Sequence, residues 1–315
     1  MHRSELLDRH NDSPPPERDH HMMAPHRLLG GLKIMRVLEL VTPFKWQHFF
    51  PETTAADWAP HRRWLEPDAL DPDTDQLQFP MQSYVVRTSH HTILIDSCVG
   101  NDKDRPTRPD WHLKTDEIYL NALSAHGIAP EAIDFVMCTH LHSDHVGWNT
   151  QLENGRWVPT FANARYVFSK KEFEAWRDVG HEKFSRAPFE DSVLPVLEAG
   201  RAELVSDDYA LDDEVWLSPT PGHTPGHVSI SLASNGVSAV MCGDLMHSPV
   251  QCAHPEWTAW PDWDAEQAKE TRRAFLERYC ETETLVCTAH FPLPSAGYIV
   301  RAGDAFRIQT DEPVW

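Results

Sequence analysis

Apolar positions along the chain fall into short dense runs and into helically spaced stripes, in alternation. Residues 32–41 (LKIMRVLELV) are rich in aliphatic and β-branched side chains and predict the first strand. Residues 82–87 and 92–96 predict a β-hairpin with Ser89-His90-His91 at its turn. Residues 115–126 carry helical spacing at Ile118, Leu120, Ala122, Leu123 and Ala125, and the pattern stops at Gly127. The apolar run 133–138 reads as a buried strand, and 165–168 as another. A helix over 170–179 would set Phe173 and Trp176 on one face, and a second is predicted over 189–198. Strands follow at 215–217, 228–232 and 237–241, then a helix over 264–279 with Asp264 as its N-cap, then strands at 285–288 and 298–301. Periodicity alone supports an α/β protein of one domain.

Two stretches break the pattern. Residues 1–30 are polar, contain Pro14-Pro15-Pro16, and are expected to form a disordered tail ahead of a single domain over 31–315. Residues 42–80 hold Trp46, Phe49, Phe50, Trp58, Trp64 and Phe79 among six prolines. A long irregular connection of that kind serves either as a lid over a site or as packing for the core.

Composition narrows the partners. With 28 lysines and arginines against 48 aspartates and glutamates, the formal charge is −20. Such a chain repels phosphate backbones and anionic lipid, which argues against nucleic acid or a membrane as partner. No apolar run is long enough to span a bilayer, and residues 1–27 show no apolar leader segment. Six cysteines without a C-x-x-C pair, several in apolar runs, point to a reduced, cytoplasmic protein. A homodimer is compatible with all of this.

The chemistry lies at the end of the 133–138 run, in Thr139-His140-Leu141-His142-Ser143-Asp144-His145. Side chains two apart on an extended chain point the same way, so His140 and His142 converge on one point. Asp144 and His145 follow where the chain should turn into a helix, and they can aim at a second point nearby. Imidazole nitrogen and carboxylate oxygen are ligands that zinc accepts.

This H-x-H-x-D-H stretch resembles the signature of the metallo-β-lactamase-fold hydrolases. Residues 93–96 (ILID), 220–227 (TPGHTPGH), 240–244 (VMCGD) and 287–290 (CTAH) resemble further signatures of that superfamily, in its order. The resemblance implies a four-layer αββα sandwich of two mixed β-sheets flanked by helices, with the site at one edge. It implies two Zn²⁺ per chain. His140, His142 and His223 would bind one ion, Asp144, His145 and His290 the other, and Asp244 would bridge them together with a hydroxide. It also implies that Asp96 orients a ligand histidine by hydrogen bond and that His227 is structural.

Departures from the family pattern sort its branches. Flavin-linked di-iron relatives place Glu where His142 stands, and the main di-zinc β-lactamases use Cys where Asp244 stands. Residues 243–247 (GDLMH) with 289–292 (AHFP) look like the methyl parathion hydrolase branch, whereas neighbouring acyl-homoserine lactonases place Tyr where this chain has His247. The implied activity is hydrolysis of a small neutral ester-like molecule, a lactone, aryl ester or organophosphate triester. Asp144, Asp244 and His247 would face the reaction, and Trp257, Trp260 and Trp263 would wall an apolar pocket. The alternatives are a hydroxyacylglutathione-type thioesterase and a non-catalytic metal-binding protein.

Overall fold

The computed structural model describes residues 25–178 and 186–310. Its chain opens with β1 (His26–Leu29), β2 (Leu32–Lys45), β3 (Leu70–Asp71), β4 (Gln76–Arg87), β5 (Thr92–Ile95) and β6 (Phe135–Met137). The hairpin of β7 (Thr150–Glu153) and β8 (Arg156–Pro159) stands apart. With β9 (Arg165–Ser169) and β10 (Ala202–Val205) the first sheet is complete, in the order β1-β2-β4-β5-β6-β9-β10 with β3 beside β4. Pairing is antiparallel from β1 to β5 and parallel from β5 to β10. The second sheet takes β11 (Val215–Pro219), β12 (Val228–Ser234), β13 (Val237–Met241), β14 (Leu285–Cys287), β15 (Ala296–Ala302) and β16 (Ala305–Gln309) in chain order. Only β13 and β14 in it are parallel.

The period-2 alternation of the strands decides how the layers stack. Ile34, Val86, Ile93, Ile95 and Met137 point from the first sheet onto Leu217, Ile230, Met241 and Cys287 of the second. Their neighbours Met35, Val85, Leu94, Val136 and Phe168 point outward and are covered by Tyr119, Leu123, Phe173, Trp176 and Phe189 from helices. Val240, Val286 and Ile299 point outward from the second sheet, under Phe275 and Leu276 of the helix Ala265–Tyr279. Asp264 caps that helix by accepting from Gln267 N at 3.0 Å. Helix, sheet, sheet and helix form the αββα sandwich.

Several boundaries differ from expectation. Residues 1–24 of the expected tail, and Val179 of the expected helix, lie outside the described residues. His26–Leu29, however, pairs with β2 as a strand, because Gly30-Gly31 makes a two-residue turn, with Gly30 at φ 60°, and Leu29 is buried. The helix expected over 189–198 is broken at Val193 into Ala187–Ser192 and Leu194–Glu198, with Pro195 in the first turn of the second piece. The 42–80 stretch is less irregular than its prolines suggested. β2 runs to Lys45 and β4 starts at Gln76, so Pro43 and Pro80 lie inside strands, paired with Gln78 and Val41. Between them three short helices fold Trp46, Phe50 and Trp58 into a buried aromatic cluster. All six cysteines are free, five of them buried. Among the described residues no helix is long and apolar enough to cross a membrane.

Candidate metal centre

Five strands deliver side chains at their carboxyl ends to the same edge of the sandwich. Asp96 follows β5, His140 and His142 follow β6, His223 lies in the loop after β11, Asp244 follows β13 and His290 follows β14. Asp144 and His145 sit in the single helical turn Ser143–Val146.

The donors form two groups. In the first, His140 Nε2 and His223 Nε2 lie 3.0 and 2.9 Å from His142 Nδ1, and Asp244 Oδ2 lies 3.3 Å from His223 Nε2. In the second, His145 Nε2 and His290 Nε2 are 3.3 Å apart, with Asp144 Oδ2 at 3.9 and 3.7 Å. Asp244 Oδ1 is 3.0 Å from each of those two nitrogens. One carboxylate therefore gives one oxygen to each group. Among described atoms that buried Oδ1 receives no hydrogen bond of acceptable geometry, despite two imidazole nitrogens at that range. Atoms so placed converge on a point rather than on one another, as ligands around a cation do.

Electrostatics agree. Burial, reinforced by neighbouring histidines, lowers the pKa values of His140 and His142, so both are neutral and ready to ligate. Burial would also lower His223, but Asp244 and Asp262 outweigh it and push it up to about 9. His145 and His290 are raised above their ordinary value against burial, chiefly by Asp244. Burial alone would raise Asp244, but the surrounding histidines, His145 foremost, hold it well below the usual carboxylate range. The centre demands positive charge. Without a metal, protons supply it, and the residues present fit two divalent ions.

Further contacts fix the converging donors. Asp96, at φ 56°, accepts from Thr139 N at 2.8 Å and holds His145 Nδ1 at 2.9 Å. The resemblance implies a hydrogen bond between Asp96 and a histidine of the motif, and His145 is the histidine it meets. His227 is not among the converging donors. Its Nε2 accepts from Asp244 N at 3.1 Å, so the neutral ring carries its proton on Nδ1 and donates to Thr220 Oγ1 at 2.9 Å. Burial, followed by the charge of His223, drives the His227 pKa down to about 3, which keeps that acceptor available. Gly243, at φ 52°, is required here, because a Cβ would come within 2.7 Å of His227 Nε2. His247 is buried, 3.2 Å from Asp244 Oδ2, with its ring edge-to-face on Phe49 and parallel to His290. It lines the cavity over the centre.

That cavity, about 200 Å³, is walled by Phe44, Phe49, Phe79, Trp111, Trp176 and Trp260. Of the three tryptophans expected there, only Trp260 reaches it. Trp257 turns back into the aromatic cluster, 5.2 Å from Trp58 and stacked on His254 at 4.4 Å. Trp263 stands behind Trp176 at 6.0 Å, its backbone bonded to His223 O. A loop with successive turns does not send every third side chain the same way. The 42–80 stretch contributes three phenylalanines to the wall, Phe44, Phe49 and Phe79, against the single tryptophan of this loop.

Three supporting residues escaped sequence reasoning. Asp262 Oδ1 holds His223 Nδ1 at 2.9 Å and is itself met by Arg272 at 3.4 Å. Glu172 accepts from Leu141 N, between His140 and His142, and from Gly226 N in the second motif, at 3.2 and 2.9 Å. Glu39, bulged out of β2, accepts from Val99 N and Trp148 Nε1. Each acts through tertiary contacts that local spacing does not announce.

Fold and site together make an αββα sandwich with a candidate metal centre at one edge. The chain belongs to the metallo-beta-lactamase superfamily, whose profile matches residues 78–290. An N-acyl homoserine lactonase from Bacillus sp. is 26% identical over 177 residues, 52% of this chain and 63% of that relative's length. Among solved structures, AidC, a dizinc quorum-quenching lactonase with a bound product, superposes with a TM-score of 0.75 at 20% identity, covering 91% of this chain and 97% of its own. The hydrolase AbOPH gives the same TM-score and coverage at 24% identity.

Proposed function

We propose that the protein is a dinuclear zinc hydrolase that cleaves a small, neutral ester-like bond: a lactone, an aryl ester or an organophosphate triester. The observation that carries this reading is Asp244, with one oxygen toward each donor group at the floor of an aromatic-walled cavity. In this reading His140, His142 and His223 would hold one ion, Asp144, His145 and His290 the other, with Asp244 offering an oxygen to each group. Bound zinc would supply a hydroxide nucleophile near neutral pH and Lewis acidity toward an electrophilic oxygen.

The chain's own residues do the rest. Asp96 and Asp262 hold His145 and His223 with their proton on Nδ1, which leaves Nε2 facing inward. Asp144, half-buried at the cavity, and His247, on the wall beside Asp244, face the reacting group. His247 is lowered in pKa by burial, so it is neutral at pH 7 and offers an N–H to developing negative charge on a substrate oxygen. Phe49, Phe79 and Trp176 exclude water and take up an apolar body. Support for the lactone member comes from the relatives named N-acyl homoserine lactonases.

Zinc-loaded protein, assayed against matched lactone, aryl ester, phosphotriester, thioester, β-lactam and phosphomonoester substrates, tests this. Turnover of the first three, abolished by a chelator and restored by zinc, is expected. Preference for a glutathione thioester, or no turnover of any, would overturn it.

A further inference from the structure

Two arginines line the cavity over the metal centre, and they are in different situations. Arg105 is spent: its guanidinium makes paired bonds to both oxygens of Asp191 at 2.8 and 2.9 Å. Arg108 has no such partner. Among the described residues its guanidinium makes no hydrogen bond or ion pair, and it lies over the rings of Phe44 at 4.4 Å and Trp111 at 5.5 Å. Those faces hold the cation in place without using its N–H donors. It is half-buried, and burial lowers its pKa against the charges of Asp144 and Asp110, neither of which is bonded to it.

Its position is as informative as its lack of a partner. The cavity over the metals, at about 200 Å³, has room for a scissile group and little else. Beside it runs an outer groove of about 900 Å³. Both are lined by Phe44, Phe49, Arg108 and Trp260, so these four form the sill between them. Lys45 and His48 also line the outer groove, and no Asp or Glu does among its described lining residues. In a chain of net charge −20 that is a local reversal of sign, and within a Debye length, about 8–10 Å, local charges outweigh distant ones.

We infer that Arg108 is a specificity-determining residue, holding a carbonyl-type oxygen of the substrate body where it passes from the metal cavity into the outer groove. This deepens the hydrolase reading and rests on it. A planar guanidinium with free donors matches such an oxygen, whether it belongs to an amide or to a carboxylate. The substrate would then carry its ester-like bond at the metals and a second oxygen function a few bonds away.

Three aryl esters of equal length test the inference: one with a plain alkyl body, one with an amide in the body, one with a terminal carboxylate. Zinc-loaded wild type should favour at least one oxygen-bearing ester over the alkyl ester in kcat/KM. Arg108→Met should cut that preference by about tenfold or more, mainly through KM, with zinc content unchanged. Arg108→Lys should retain part of the preference. Loss confined to the carboxylate ester would identify an anionic body, and loss confined to the amide ester a neutral one. A purely structural arginine would lower all three alike, and that result, or an unchanged preference, would overturn the inference while leaving the hydrolase reading intact. Failure of the wild type to turn over any of the three would overturn the ester reading and this inference with it.

Discussion

Asp262 Oδ1 lies 2.9 Å from His223 Nδ1, although the two residues are 39 positions apart and leave different loops. Arg272, buried in the helix Ala265–Tyr279, donates to Leu245 O, Pro255 O and Trp257 O and reaches Asp262 Oδ2 at 3.4 Å. The loop after Asp244 is thereby tied down, and the ring of His223 with it. Burial alone would raise Asp262, but His223 and Arg272 bring its pKa down to about 2, so it stays a carboxylate. Asp262→Asn keeps the shape and removes the charge. Zinc affinity measured by chelator competition should fall by about 10–100-fold, with the melting temperature of the zinc-saturated protein little changed.

Glu172 ties the two ligand loops together. Oε1 accepts from Leu141 N and Trp176 Nε1, and Oε2 from Gly226 N. Glu172→Gln must turn an NH₂ group toward a backbone or indole N–H, leaving buried donors opposed. A loss of about 1–3 kcal/mol in unfolding free energy is expected, measured by denaturant titration of the metal-free protein. A loss within error would show that the loops hold their places without it.

Of the seven converging donors, His140, His142, Asp144 and His145 were legible from local spacing, whereas His223, Asp244 and His290 were legible only through the family resemblance of their motifs. His140 and His142 share a face by period 2, and the turn Ser143–Val146 carries Asp144 and His145 round to the second group. What spacing cannot show is a partner brought from a distant loop, which is why Asp262 and Glu172 went unseen. Trp257 and Trp263 illustrate the same limit: a tryptophan near a metal-bearing strand is not thereby in the pocket. The missed edges have plainer causes. Gly30-Gly31 between Leu29 and Leu32 is a hairpin turn hidden by a polar, proline-rich neighbourhood. Pro43 and Pro80, read as breaks, occupy strands beside the β2 irregularity at Leu38/Leu40.

The charged state of the metal-free centre sets its pH behaviour. His223 is raised from 6.5 to about 9 and must lose its proton before Nε2 can ligate. Zinc binding at pH 7.5 should therefore release protons, detectable by calorimetry in buffers of different ionisation enthalpy, and affinity should rise toward pH 9. Stability has the opposite sign in the metal-free protein. A group with a raised folded pKa contributes fully below its unfolded value and loses that contribution as pH climbs through its folded one. The apo protein should thus lose this stabilisation between about pH 6.5 and 9, and the zinc form should not. Zinc affinity flat across this range would contradict the assignment.

If Asp244 joins a pair of ions, the ions can be counted. Protein loaded with excess zinc, desalted and submitted to elemental analysis should hold about two equivalents per chain. Asp244→Asn should hold fewer and lose activity in step. One equivalent in fully active wild-type protein, or two in a fully active Asp244→Asn variant, would contradict the account.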